Sequence, residues 1–136
     1  MIALDTNILI RYLTRDDEVR AERCLALLRQ AEAGEQDLFL CEAILAEAVY
    51  VLSSPKLYNL GRAQVRNVLS AVVNLRGVHL PQKHVCRQAL NLYAETNLDF
   101  EDALLVAHMR SGGMSQLYSY DRHFDDAGLS LERLEP

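Results

Sequence analysis

Tryptophan is absent from the 136 residues, and cysteine, proline and glycine are sparse, with three, three and six copies. So few cysteines exclude a disulfide-stapled scaffold, and so little proline and glycine exclude collagen-like or low-complexity chains. Cys24, Cys41 and Cys86 form an odd set without C-x-x-C spacing. They are expected to be buried thiols in a reducing cytoplasm rather than a metal or redox site. No histidine stands at metal-ligand spacing from a cysteine, and His79 and His84 merely flank a strand-to-helix turn. Unbroken apolar runs reach about five residues, as in Ala48–Leu52 and Ala103–Ala107, far short of the roughly 20 that span a membrane. The opening residues lack a basic stretch and carry Asp5, so they do not read as a signal peptide.

What is present is a composition suited to folding: 50% hydrophobic and 24% charged. At this size folding buries about 68% of the accessible surface, enough for a genuine core. No linker, repeat or composition shift interrupts the chain, so one domain is expected over residues 1–136. Net charge is −5, from 19 acids against 14 bases, which by itself argues against electrostatic capture of nucleic acid.

Short apolar runs alternate with amphipathic stretches. Ile2–Asp5 is too short for a helix and reads as a buried strand. Asp16–Ala33 reads as a helix, with an acidic first turn, a stripe of Ala21, Cys24, Leu25 and Leu28, and a stop at Gly34. Leu38–Cys41 is a second strand, followed by a helix over Glu42–Leu52 that Ser53-Ser54-Pro55 breaks. Helices are expected at Arg62–Leu75, Lys83–Thr96 and Asp99–Arg110, and strands at Val78–Leu80, Leu117–Tyr120 and Ser130–Leu134. This alternation predicts an α/β fold whose parallel sheet is covered on both faces. Ligands of such sheets bind outside the carboxyl ends of the strands.

That edge is where the acids fall. Two strands end in aspartate, Asp5 and Asp121, each of which also suits a helix cap or a turn. Glu47 is the only charge in Ala43–Leu52, and its helical neighbours Ala43, Ile44, Tyr50 and Val51 are apolar-bodied. A carboxylate on such a stripe is costly unless it is paired or reaches water. Asp99, Glu101 and Asp102 open one helix, where acids complement the dipole. Asp102 shares a face with Asp99 and sits among Leu98, Leu105 and Val106, whereas Glu101 is expected to be a solvated charge.

If Asp5, Glu47, Asp99, Asp102 and Asp121 converge, their repulsion is severe, because two carboxylates about 4 Å apart repel by roughly 4 kcal/mol at an effective dielectric near 20. A divalent cation relieves that repulsion, and an all-oxygen donor set selects Mg²⁺ or Mn²⁺. Such a pocket suits hydrolysis of phosphodiesters by metal-activated water. Setting the five acids aside leaves the 14 bases matched by 14 acids, so the negative charge does not exclude a nucleic-acid substrate.

The opening Ile2-Ala3-Leu4-Asp5-Thr6-Asn7-Ile8-Leu9-Ile10-Arg11-Tyr12-Leu13 resembles the first motif of PIN-domain proteins, specifically VapC-type toxins of bacterial toxin–antitoxin pairs. The likeness continues in order through Leu45-Ala46-Glu47, Asp99-Phe100-Glu101-Asp102-Ala103-Leu104 and Ser119-Tyr120-Asp121-Arg122. Many relatives have Thr-Phe-Asp in the last block, and here hydroxyl, aromatic and acid all survive. The resemblance implies a three-layer α/β/α sandwich around a central parallel sheet and a Mg²⁺- or Mn²⁺-dependent endoribonuclease leaving 5′-phosphate and 3′-hydroxyl ends. It assigns Asp5, Glu47, Asp102 and Asp121 to the acidic quartet, Asp99 to an auxiliary acid, and Thr6, Asn7 and Ser119 to polar groups that orient them. Arg11, Arg15 and Arg122 lie beside the motifs and suit RNA phosphates. The resemblance further implies a cytoplasmic homodimer and a cognate antitoxin that inhibits it, with DNA bound only through that antitoxin. Leu57-Tyr58-Asn59-Leu60 and the helix after it are the expected partner surfaces.

Three rivals differ in their demands. A catalytically silent PIN fold acting as a binding protein would keep the architecture without turnover. A phospho-acceptor receiver domain needs paired acids after its first strand and a late lysine, but this chain has Asp5 followed by Thr6-Asn7, and only Lys56 and Lys83. A haloacid-dehalogenase-like phosphatase needs D-x-D, and Asn7 occupies the third position.

Overall fold

The computed structural model describes residues 1–136. Strand β1 (Ile2–Ala3) leads directly into α1 (Thr6–Thr14), a helix that the sequence pattern did not announce. Its run of Ile8, Leu9 and Ile10 suits a strand as well as a helix, and Asp5, at the N-cap position, makes no side-chain capping bond. Packing decides the outcome: Thr6, Leu9 and Ile10 fall on one helical face and are buried.

Next come α2 (Glu18–Glu32), β2 (Leu38–Phe39), α3 (Glu42–Ser53), α4 (Arg62–Val73), β3 (Val78–His79), α5 (Lys83–Glu95), α6 (Phe100–Ser111), β4 (Gln116–Tyr118) and β5 (Glu132–Leu134). Two short 3-10 turns, Arg122–Asp125 and Ala127–Leu129, join the last two strands and were not foreseen. Helix α2 starts two residues later than expected because Asp17 caps it, its side chain accepting from the Arg20 N–H at 3.1 Å. Helix α6 likewise starts at Phe100, with Asp99 at the N-cap position.

All strand pairs are parallel, as the alternation of strands and helices requires. The strands form a three-stranded sheet in the order β1-β2-β3 and a separate β4-β5 pair. They are shorter than their apolar runs, although the ladder continues past β1 through the Leu4 N–H to the Phe39 carbonyl at 2.8 Å. Leu38 on the central strand and Leu40 just beyond it are fully buried, whereas Ile2 on the edge strand is 59% exposed, so coverage is incomplete there. One hydrophobic core of 31 buried residues joins the strands to all six helices. The fold is thus an α/β sandwich around parallel strands, as the sequence predicted. No helix is long and apolar enough to cross a membrane.

Cys24 and Cys86 are buried, and burial pushes the Cys86 thiol up to about 11. Cys41 corrects the expectation for all three: it is exposed, because it stands at the N-cap position of α3 rather than inside β2.

Candidate active site

Asp5 follows β1 and is exposed, with its carboxylate free of any capping bond. The next residue, Thr6, is buried to 5% exposure, and its Oγ1 donates to Glu47 Oε2 at 2.6 Å. That bond ties the start of α1 to the middle of α3 and answers why a lone carboxylate tolerates the apolar stripe of α3: one oxygen is hydrogen-bonded while the residue as a whole is exposed.

A second group forms at the start of α6 and the end of β4. Asp99 occupies the N-cap position without a side-chain cap bond, leaving its carboxylate free. Asp102, one turn on, is half-buried, and its pKa is raised first by burial and then by the charges of Asp121, Asp99 and Glu101, with His123 opposing. Asp121 is held below the ordinary carboxylate value, chiefly by the His123 backbone N–H at 2.9 Å and then by the His123 ring, whose Nδ1 lies 2.6 Å from Asp121 Oδ1. The two shifts are linked, since an ionised Asp121 adds to the burial that makes ionising Asp102 harder. Ser119 Oγ accepts from the Asp121 N–H at 2.9 Å, and Arg133 donates to the Ser119 carbonyl at 2.8 Å, so the turn carrying Asp121 is braced from both sides.

Of the candidate acids, only Glu47 and Asp99 line the grooves between α3 and α6, and Asp5, Asp102 and Asp121 line neither. Glu47, Ala46 and Tyr50 share one open groove with Glu101 and Leu104, and Ala46 and Tyr50 share an adjoining one with Asp99, Phe100 and Glu101. Glu101 is exposed, the solvated charge expected of it, and lines both grooves. His123 and Tyr50 escaped the sequence reading, the first because its role depends on the 3-10 turn after Asp121.

The acids do not close into a cage. No three His, Cys, Asp or Glu side chains are grouped closely enough to hold a metal ion. The donors still fit a hard divalent cation in chemistry, being carboxylates whose charges add to burial in raising the Asp102 pKa. The fit is one of donor type rather than of a preformed cage.

The remaining polar residues divide. Asn7 is exposed and lines a cavity with Ile8, Arg11 and Cys24. Arg11 is paired with Asp16 at 2.8 Å, and Arg15 is engaged by both Glu18 and Glu22, so Arg15 presents no free guanidinium. Arg122 lines a small cavity of about 350 Å³ with Thr96, Asn97, His123 and Asp126.

No curated protein sequence matches this chain closely enough to serve as a named relative. The profile of the PIN domain, a family whose members are usually metal-dependent nucleases, matches residues 2–129 and so takes in every acid described above. With nearly its whole length matched and its strands and helices arranged as an α/β sandwich, the chain belongs to the PIN domain family.

Proposed function

We propose that the protein is an endoribonuclease dependent on Mg²⁺ or Mn²⁺, with Asp5, Glu47, Asp102 and Asp121 as catalytic and metal-holding acids and Asp99 as an auxiliary ligand. The observation that carries the reading is the arrangement of the acids at the start of α6 and after β4, where Asp102 feels Asp121, Asp99 and Glu101 with no cationic side chain bonded to it. A bound divalent ion would supply a water of lowered pKa and a counter-charge for the leaving oxygen. The chain's own part is positional. Thr6 fixes one Glu47 oxygen, His123 keeps Asp121 ionised, and Ser119 with Arg133 holds the backbone of the Asp121 turn.

The four motif blocks support the finer reading of a VapC-type toxin, a cytoplasmic homodimer inhibited by a cognate antitoxin. Leu57 is 57% exposed on the loop expected to meet a partner, while the neighbouring Tyr58 is committed to Asp16 at 2.6 Å.

Incubating total RNA with the purified protein in Mg²⁺, Mn²⁺ or EDTA tests the activity. Cleavage in either metal that is abolished by EDTA and by Asp102→Asn is the expected outcome. Equal cleavage by wild type and Asp102→Asn would overturn it. The open arrangement of the acids favours one second reading, a catalytically silent PIN fold that binds a partner. Calorimetric Mn²⁺ titration followed by cleavage of total RNA separates the two, because a silent protein cuts no RNA whether or not it binds the ion.

A further inference from the structure

A cavity of about 390 Å³ lies between α1 and α2, lined by Asn7, Ile8, Arg11, Arg20, Arg23 and Cys24. Three of these six residues are arginines, in a chain of net charge −5. The spacing explains the cluster: Asn7, Ile8 and Arg11 share one face of α1, and Arg20, Arg23 and Cys24 share one face of α2. Arg11 is close enough to the buried Cys24 that its charge opposes the rise that burial imposes on the thiol.

Of the four acids nearby, two serve an arginine outside the cavity and two pair with its own arginines. Glu18 and Glu22 both serve Arg15, and Asp17 caps α2. Asp16 pairs with Arg11 but also accepts from Tyr58. Arg20 approaches Asp17 only at 3.5 Å with 67% of its side chain exposed, and Arg23 makes no ion pair. The cavity therefore keeps a surplus of one guanidinium, that of Arg23, beside the loosely paired Arg20 and the amide of Asn7.

Its place in the chain matters as much as its charge. Asn7 stands two residues beyond Asp5, and Arg11 one helical turn further, about 6 Å along the axis. The acidic group cannot attract a polyanion without its cations, so a negatively charged nuclease needs a separate positive locus to hold substrate.

We infer that the Asn7–Arg11–Arg20–Arg23 cavity is a backbone-phosphate subsite for single-stranded RNA flanking the bond at the acids, an inference that rests on the nuclease reading proposed above. Forked guanidinium donors match phosphate oxygens, and the amide of Asn7 adds a neutral donor. An acidic protein segment would want apolar anchors beside its carboxylates, and here only Ile8 and Cys24 are apolar.

The test measures anisotropy of a fluorescein-labelled polyuridylate oligonucleotide in EDTA, with KCl varied over about 50–200 mM. Each single-strand phosphate neutralised contributes about 0.7 to the slope of log affinity against log salt. Arg20→Ala/Arg23→Ala is expected to lower that slope by about 1.4 and weaken binding by about tenfold. Arg20→Lys/Arg23→Lys restores most of the slope, which shows that charge and not folding was lost. Unchanged affinity and slope in the alanine variant overturn the subsite, even where the wild type cleaves RNA in Mg²⁺. Arginine-dependent binding by a wild type that cleaves nothing in Mg²⁺ or Mn²⁺ supports the subsite and overturns the nuclease reading instead. Displacement of the oligonucleotide by polyglutamate more readily than by unlabelled polyuridylate would overturn the RNA assignment in favour of an acidic protein partner.

Discussion

Thr6 Oγ1 donates a 2.6 Å hydrogen bond to Glu47 Oε2, joining residues 41 positions apart at the start of α1 and the middle of α3. Thr6 is the only polar residue in the buried set, and its hydroxyl is spent on an acid of the candidate site. Thr6→Val keeps the shape and deletes the donor. Supports of this kind typically cost about 10–100-fold when removed, so RNA cleavage in Mg²⁺ should fall by roughly that factor. Stability should fall by only about 1 kcal/mol, since Glu47 is exposed and regains water. Initial rates and urea midpoints measure the two effects, and Thr6→Ser should recover the rate. A Thr6→Val protein with wild-type kinetics would show that the bond orients nothing used in catalysis.

How far the sequence foretold this arrangement depends on the kind of signal involved. The long helices were legible because Ala21, Cys24 and Leu28, or Val65, Leu69 and Val72, repeat with helical period and are in fact buried. Helix α1 was not, because Ile8-Leu9-Ile10 has the composition of a strand, and only burial of Thr6, Leu9 and Ile10 against the core selects the helix. Asp5, Asp102 and Asp121 stood out as acids at element ends, and Glu47 as a lone charge. His123 did not, because its hold on Asp121 depends on the 3-10 turn that follows, which no helical or strand period encodes.

Arg62 supports the acids of α6 from a distance. From the first residue of α4 its Nη1 donates to the carbonyls of Tyr93 and Leu98 at 2.8 and 2.7 Å, its Nη2 to Asn97 at 3.3 Å, and its guanidinium lies 4.4 Å from the Tyr93 ring centroid. These contacts pin the α5–α6 connection immediately before Asp99. Arg62→Ala should therefore destabilise the fold by about 2–3 kcal/mol in urea unfolding, with two half-buried carbonyls left short of a donor. Arg62→Lys should recover little, since an ammonium cannot reproduce the fork or the stacking.

Acid should dissolve the tie between Asp16 and Tyr58. The Tyr58 hydroxyl donates at 2.6 Å and, followed by Arg11, holds the Asp16 carboxyl below its ordinary value of 3.8. A carboxyl depressed in the folded state contributes stability above its unfolded pKa, and that contribution disappears as pH falls through the folded value. Tyr58→Phe should therefore be less stable than wild type by a constant amount between about pH 7 and pH 5, with the gap closing below about pH 4. Denaturant titrations of both proteins at several pH values measure it. A gap that persists undiminished at pH 2 would mean that the ring packing of Tyr58, rather than its hydroxyl, carries the effect.

Gly77 is where the backbone allows no side chain at all. A Cβ there would lie 2.3 Å from the Gln36 carbonyl oxygen and 2.5 Å from that of Ala31. Both obstacles are main chain, so neither can rotate away. The same Ala31 carbonyl accepts from the Gly77 N–H at 2.8 Å, and the Gly77 carbonyl accepts from the Leu38 N–H at 2.7 Å, so the close approach is what docks the end of α2 and the start of β2 against the entry to β3. Gly77→Ala must push these segments apart and loosen that ladder, which should cost about 3 kcal/mol, the upper part of the range for overpacking. Gly61→Ala is the matched control, because a Cβ at Gly61 meets nothing within 4 Å. Urea unfolding of the two variants should show a large loss for the first and a smaller one, under about 1 kcal/mol, for the second, whose only cost is a poorer N-cap for α4. Equal midpoints would mean that the α2–β2–β3 junction is far more yielding than its hydrogen bonds imply.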